Sequence, residues 1–436
     1  MSKSRIVVLG AGISGLSIGY HLHELGYSSA IYEQEPDYGG LCGSFSVQGF
    51  TFDNFAHISF DNHAIPFSLL EDSTPYYVHA PEALNYAHSF WLGHPAQKHL
   101  ASLPLEERID IIKDFVHKPD LTPHNYGEWL RRAYGNYFAE HYPYVYTRKY
   151  WTVEPEQLET AWVQGRMSEL TLDEILRGAM TNDISSSHYA KEARYPKQGG
   201  FKAFLRKLAT GQAVYTGYCV CRIDTQNKRI YFRNGAQVDY DVLFSTLPLT
   251  ELCSMLDSVP LEIQKAVDKL DYTSGAIVSI GLKVPEVSPA LWFYIYDEDI
   301  LPARVHSPGR QSPANVPEGC SSLQAEIYFS KYKPLSSSLE CLRDRAVEGL
   351  LKLGLFKSQD IIFTDIRVKK YANIMFTPTI YTARDMVHRY LDQLGIYYAG
   401  RFGQWDYLWV GQCVIDGQRV AKLFATREGH NYDNQG

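Results

Sequence analysis

The spacing of apolar positions changes several times along the chain, and each change marks a different kind of element. A short unbroken apolar run from Arg5 to Leu9 reads as a buried strand, followed by a helix-like stretch and a second strand that ends at Glu33. Between 61 and 194 the period lengthens, as in "PLEERIDIIKDFVH" and "NYGEWLRRAYGNYF", which predicts a mainly helical segment. From 255 to 384 it shortens again. "GAIVSIGLKV", "LQAEIYFS" and "IIFTDIRVKKY", with one helix "SLECLRDRAVEGLLKLG", predict an antiparallel sheet. The last segment, "YYAGRFGQWDYLWVGQCVIDGQRVAKLF", is predicted to be a strand, an aromatic and cationic turn, and an amphipathic helix. The tract from Ser307 to Gly319 is rich in Pro, Gly and Ser and reads as a mobile lid or a passive surface loop.

At 436 residues the chain is long enough for two or three packed subdomains. A net charge of −7 with no basic run argues against nucleic acid or an anionic membrane as partner. Aromatics are in excess, with 32 Tyr, 20 Phe and 7 Trp, which suits either a deep pocket or a thick core. The seven cysteines form no Cys-x-x-Cys. Cys219 and Cys221, two apart on a predicted strand, read as core packing rather than zinc ligands, and no metal site is expected. The N-terminus enters a strand without the layout of a signal peptide, and no apolar run reaches the ~18–20 residues of a membrane helix. A cytoplasmic protein is expected.

The stretch between the first two strands carries Gly10-x-Gly12-x-x-Gly15, with Glu33 about 20 residues further on. Gly10 permits a tight turn, Gly12 lets a pyrophosphate approach the backbone, and Gly15 lets the helix pack on the strand. The helix N-terminus would face the phosphates and Glu33 the ribose hydroxyls. A dinucleotide is expected. The following "QEPDYGGLCGS" resembles the extended flavoprotein signature, with Gly39 and Gly40 beside the diphosphate of FAD. "YCVCRIDTQNKRIYF" resembles the strand that holds adenine near Val220, and "VLFSTLP" the strand that returns to the nucleotide domain. The fold class predicted is α/β. Stretches 1–60, 195–250 and 385–436 form a discontinuous Rossmann-like FAD-binding domain, 61–194 a helical insertion, and 255–384 an antiparallel-sheet substrate domain.

Three further segments, "YVYTRKYWTVEPEQLETAWVQGRM", "LWFYIYDEDILPARVHS" and "GRFGQWDY", resemble UDP-galactopyranose mutase, a member of the wider amine-oxidase and protoporphyrinogen-oxidase group of flavoproteins. The resemblance implies interconversion of the pyranose and furanose forms of a UDP- or dTDP-sugar in polysaccharide or glycoside biosynthesis. FAD, reduced by NAD(P)H or another donor, would attack the anomeric carbon through N5. It further implies that Arg166 and Arg304 hold the leaving diphosphate, that Tyr294 and Tyr407 contact it, that Trp151 lines the sugar pocket and that Gln97 lies beside the base. Arg401 would steady the flavin, and His57 would lie with its backbone near flavin N5, with Gly199 and Gly200 beside the site. It leaves the chain a monomer or a homo-oligomer. Without the family, each arginine reads equally as a surface or structural residue.

This chain departs from the family at several points. Phe55-Ala56 replaces Gly-Gly before the histidine, Met375 replaces a phosphate-binding tyrosine, and His94 replaces a tyrosine on the base side. "VGQCVIDG" replaces Asn-Gln-Asp-His at the last helix and is closer to ordinary amine oxidases. The sequence therefore also admits an FAD-dependent oxidoreductase of the amine-oxidase type, or a flavoprotein without catalysis.

Overall fold

The computed structural model describes residues 4–60, 64–72, 74–164, 166–181 and 192–433. The strand Ile6–Leu9 is followed by the helix Ile13–Glu24 and the strand Ser29–Tyr32, as the sequence pattern predicts. Ile6–Leu9 lies at the middle of a five-stranded parallel sheet ordered Ile396–Tyr398, Val242–Ser245, Ile6–Leu9, Ser29–Tyr32, Ala213–Tyr215. Strands buried on both faces need continuous apolar runs, and the four residues Ile6–Leu9 are all buried. The long C-terminal helix Val410–Asp433 packs along Ile13–Glu24. Gly417 is glycine because a Cβ there would come within 2.7 Å of Ser17. One layer is therefore assembled from the start, middle and end of the chain.

The second layer is a seven-stranded sheet ordered Ile361–Ile374, Tyr272–Leu282, Ser321–Phe329, Arg304–His306, Trp292–Ile295, Ala83–Ala87, Phe90–Gly93. Its last two strands come from the segment predicted to be mainly helical, and Ala83–Ala87 joins Trp292–Ile295 in parallel. That segment does supply the helices Leu105–Val116, Tyr126–Tyr134, Asn136–His141, Pro143–Tyr150 and Leu172–Met180. One face of the sheet is apolar. Val278, Ile280, Val305, Leu323, Ala325 and Ile327 pack with Leu342, Ala346 and Leu350 of the helix Leu339–Leu351. Alternation turns the intervening residues to the opposite face, where the Ala56 N–H meets Glu326.

Two sequence expectations change. The tract 307–319 is neither lid nor passive loop: it forms two short helical turns, Pro308–Gln311 and Pro313–Asn315, with Ser307, Gln311, Ser312 and Asn315 buried. Its polar groups are bonded inward, as when Ser312 Oγ donates to the Lys197 carbonyl. Cys219 and Cys221 are not core residues either, since Cys219 is half-buried and Cys221 exposed beside a bulge that follows Val220.

Candidate functional site

The three glycines of the first turn differ in what surrounds them. A Cβ on Gly15 would lie 1.9 Å from the Gly10 carbonyl oxygen, so only glycine lets this helix start so close to the strand. Gly10 has φ +94° and Thr246 Oγ1 2.5 Å from its missing Cβ. At Gly12 the picture reverses, because the nearest atom to a Cβ would be Gly40 Cα, 4.0 Å away. Gly12 therefore keeps a surface bare rather than making room for a neighbour. Gly39 (φ +125°) and Gly40 (φ +57°) turn beside it, with the Gly39 N–H donating to Ala11 O at 2.9 Å. Glu33 ends the second strand, buried, accepting from Ala11 N–H at 2.7 Å and Glu35 N–H at 3.0 Å. Burial raises its pKa, and these backbone bonds oppose the rise. Val220 is buried at the start of the neighbouring three-stranded antiparallel sheet. A bare glycine cradle at a helix N-terminus, a second glycine turn and an acid at the end of the adjacent strand are the donor set that a dinucleotide requires, and FAD fits it.

The polar face of the seven-stranded sheet supplies the second half. Pairing sets Tyr294 opposite Arg304, Arg304 opposite Glu326 and Glu326 opposite Ile277. The next rung runs Trp292, His306, Gln324, Ser279. Glu326 is fully buried and accepts four hydrogen bonds: Arg304 Nε at 2.7 Å and Nη2 at 3.0 Å, Tyr328 Oη at 2.5 Å, and the Ala56 N–H at 2.6 Å. Arg304 is thus oriented by a bidentate pair that still leaves donors on its fork. Tyr328 stacks on Phe55 (6.1 Å between centroids) and lies 4.7 Å from Tyr150, whose hydroxyl donates to Asn373 Oδ1 at 3.0 Å.

The C-terminal turn lies near the same face, with Tyr407 close to Tyr150 and Tyr294. Tyr407 lies between two guanidinium groups, Arg166 at 4.0 Å and Arg401 at 5.1 Å from its ring centre. Arg166 Nη2 donates to the Tyr407 carbonyl at 2.5 Å and Arg401 Nε to the Leu408 carbonyl at 2.9 Å. Trp151 is buried 5.0 Å from Tyr150, 5.4 Å from Trp162 and 6.3 Å from Tyr407. Tyr294 stands 4.8 Å from His94 and 5.5 Å from Tyr146, and its oxygen accepts from Trp292 Nε1 at 3.1 Å. His57 donates from Nδ1 to the Phe55 carbonyl at 3.2 Å, which leaves Nε2 as an acceptor. Burial, with Arg304 and Arg401 nearby, holds its pKa down to about 4, so it is neutral.

The structure therefore brings Arg166, Arg401, Tyr407 and Trp151 together, and places Arg304 and Tyr294 on the adjoining sheet face with His57 in an irregular segment near Arg304. Gln97 is tied to the helical segment, with Nε2 donating to Tyr134 Oη at 3.3 Å. Gly199 and Gly200 turn at φ +85° and +68°, Gly200 against Ser44 and Asp53. Glu326, Tyr328 and Tyr150 were missed by sequence reasoning. The signal existed only as the alternation Gln324-x-Glu326-x-Tyr328 in "LQAEIYFS", which puts three polar side chains on one face of an otherwise apolar strand. Asp53 was also missed. It is buried, accepting from Ser44 Oγ, Tyr195 Oη and Phe201 N–H, and burial raises its pKa to about 6. Among the described residues no cluster of His, Cys, Asp and Glu could hold a metal ion, and no helix is long and apolar enough to cross a membrane.

Comparison with known proteins agrees with this architecture. Residues 13–334 match the family of flavin containing amine oxidoreductases. A crystal structure of reduced UDP-galactopyranose mutase superposes with a TM-score of 0.89 at 26% identity, covering 96% of this chain and 95% of that one. Cyclohexylamine oxidase from Brevibacterium oxydans IH-35A has a TM-score of 0.70 at 16% identity, covering 98% of this chain and 100% of that one. A CLA-producing fatty acid isomerase from P. acnes has a TM-score of 0.65 at 14% identity, covering 97% and 98%. No curated protein sequence matches the chain.

Proposed function

Because the chain belongs to the family of flavin containing amine oxidoreductases and its fold is like that of UDP-galactopyranose mutase, we propose that it is a flavin-dependent mutase of a nucleotide sugar. It would interconvert pyranose and furanose forms of a UDP- or dTDP-sugar for polysaccharide or glycoside synthesis. The observation that supports this most is the convergence of guanidinium groups: Arg166 and Arg401 both lie against the Tyr407 ring, and Arg304 is held by the buried carboxylate of Glu326. Planar forks of donors suit a nucleoside diphosphate.

Gly10, Gly12, Gly15, Gly39, Gly40, Glu33, Val220 and Arg401 would hold FAD. The reduced flavin supplies a nucleophilic nitrogen, with no net transfer of electrons. Arg304, aimed by Glu326, and Arg166, aimed by the Tyr407 carbonyl, would bind the diphosphate before and after it leaves the sugar. Tyr407 and Tyr294 would donate from their hydroxyls, and Trp151 with Trp162 and Phe376 would exclude water beside the sugar. Neutral His57 adds no charge that would compete with the arginines for the anion.

The test is titration of the FAD-loaded protein with UDP, followed by the flavin spectrum. Arg166→Ala and Arg304→Ala should each weaken binding by about 2 kcal/mol, roughly 30-fold, without changing FAD content. Unchanged affinity in both would remove the arginines from the site. A second reading, hydride transfer of the amine-oxidase type, is favoured by the start of the last helix, "VGQCVIDG". Oxygen consumption by the oxidised protein would decide for it.

A further inference from the structure

Lys149 is a buried lysine that makes none of the contacts described so far. It sits in the last turn of the helix Pro143–Tyr150 and is only 6% exposed. Its Nζ donates to three backbone carbonyls, Ile295 O at 2.9 Å, Asp297 O at 2.8 Å and Ile300 O at 2.7 Å. An ammonium has three N–H donors, so all of them are engaged and none is left for a substrate. Buried carbonyls need partners, and three that converge on one point suit a tetrahedral donor better than the planar fork of an arginine. All three belong to the end of one hairpin, where the strand Trp292–Ile295 turns back into Arg304–His306. Tyr294 and Arg304 are the last cross-strand pair before that turn.

The helix end that carries Lys149 is itself held to the sheet on either side of Trp151. Tyr150 Oη donates to Asn373 Oδ1, and Thr152 Oγ1 donates to Ser330 Oγ at 2.7 Å. Thr152 has φ +66°, a left-handed conformation that a β-branched residue rarely adopts and keeps only where its surroundings fix it. One turn earlier, Tyr146 lies 5.5 Å from Tyr294 and 5.7 Å from Tyr296. The lysine therefore reaches the hairpin from a fixed anchor. We infer that Lys149 is a positioning residue, which pins the end of the hairpin to this helix and so sets Tyr294 and Arg304 in a fixed place relative to Tyr150 and Trp151. It joins the half of the pocket carried by the helical segment to the half carried by the sheet. Its effect on a ligand rests on reading Arg304 and Tyr294 as contacts of a diphosphate.

Two measurements on the full FAD-loaded chain test this. Burial lowers the pKa of Lys149 to about 7, with Lys333 adding to the fall and Asp297, Asp299 and Glu298 opposing it, so both are made at pH 6, where the ammonium is intact. Lys149→Met keeps the length of the stem and removes the donors. In this variant the backbone amides of 295–303 should exchange hydrogen about tenfold faster than in the wild type, while those of Tyr272–Leu282 exchange as before. UDP, followed by the flavin spectrum, should bind about tenfold more weakly at unchanged FAD content. A lysine that only stabilises the fold would lower the melting temperature and leave the folded protein's exchange and UDP affinity as they were. Either quantity at its wild-type value would overturn the inference. If UDP does not bind the wild type, the nucleotide reading fails and the exchange pattern alone decides for or against the lysine. Should Lys149→Met not fold, Lys149→Gln, whose amide keeps two N–H donors, is measured in its place against the same expectations. Failure of both to fold would mean that Lys149 holds the fold rather than the site, and would refute the positioning role.

Discussion

Replacing Glu326 with glutamine removes the charge that orients Arg304 and changes little else. Burial by itself would raise the pKa of this carboxylate, but Arg304 and Tyr328 outweigh burial and bring it below the ordinary glutamate value, so it is ionised at neutral pH. Each oxygen serves two donors: Oε1 accepts from Arg304 Nη2 and the Ala56 N–H, and Oε2 from Arg304 Nε and Tyr328 Oη. Whichever position the new NH₂ group takes, it meets two donors head-on. Breaking a buried pair costs about 3–5 kcal/mol. With an unfolding entropy of about 2 cal/mol/K per residue over this chain, Glu326→Gln should lower the melting temperature by about 3–5 °C. Adding Arg304→Met should recover most of the loss, because the unpaired charge is then gone. The assay is calorimetry on wild type, both single variants and the double variant at neutral pH, repeated toward acid. A depressed glutamate pKa contributes stability above its unfolded value that is lost as pH falls through the folded one. The gap between wild type and Glu326→Gln should therefore close below about pH 4. Additive losses in the double variant, or a gap that persists in acid, would refute the coupling.

Three other outcomes follow from the same geometry. Gly12→Val should fold but fail to retain FAD, measured as absorbance per protein, whereas Gly15→Ala should impair folding itself, since only Gly15 abuts a backbone oxygen at 1.9 Å. Gly275→Ala should destabilise the protein by about 1–3 kcal/mol, because a Cβ there meets the Phe55 ring at 2.5 Å, and Phe55→Ala should relieve part of that clash in a thermodynamic cycle. Asp53 keeps its proton up to about pH 6 in the folded chain but releases it near pH 4 when unfolded, so stability should decline as pH rises between those values. That decline should be absent in Asp53→Asn, by melting temperature against pH.

The legible parts of this molecule were those fixed by local backbone demands. Gly10, Gly12 and Gly15 announce a turn, a bare surface and a close packing within six residues, and Glu33 follows just after the next strand, Ser29–Tyr32. Glu326 was invisible because its role comes from register. It meets Arg304 across a strand pair and Ala56 across 270 positions of chain. The strands Ala83–Ala87 and Phe90–Gly93 were hidden for a similar reason, since they complete a sheet whose other strands begin nearly two hundred residues later. Composition misled at 307–319, where Pro, Gly and Ser suggested a lid or a passive loop but Ser312 and Asn315 bond inward. It misled again at Cys221, where alternation identifies a shared face but not which face is covered. The arginines at 166, 304 and 401 were found only through resemblance, because no spacing rule links side chains on three separate elements.

The proposal that reduced flavin serves a nucleotide sugar without net redox change is tested most directly by product mass and oxygen uptake together. A panel of UDP- and dTDP-sugars would be incubated with the FAD-loaded protein, with and without dithionite or NAD(P)H. The account predicts turnover only after priming, many cycles per reductant, and a product of the same mass as its substrate. Stoichiometric oxygen consumption from the oxidised protein, with a product lighter by two hydrogens, would contradict it.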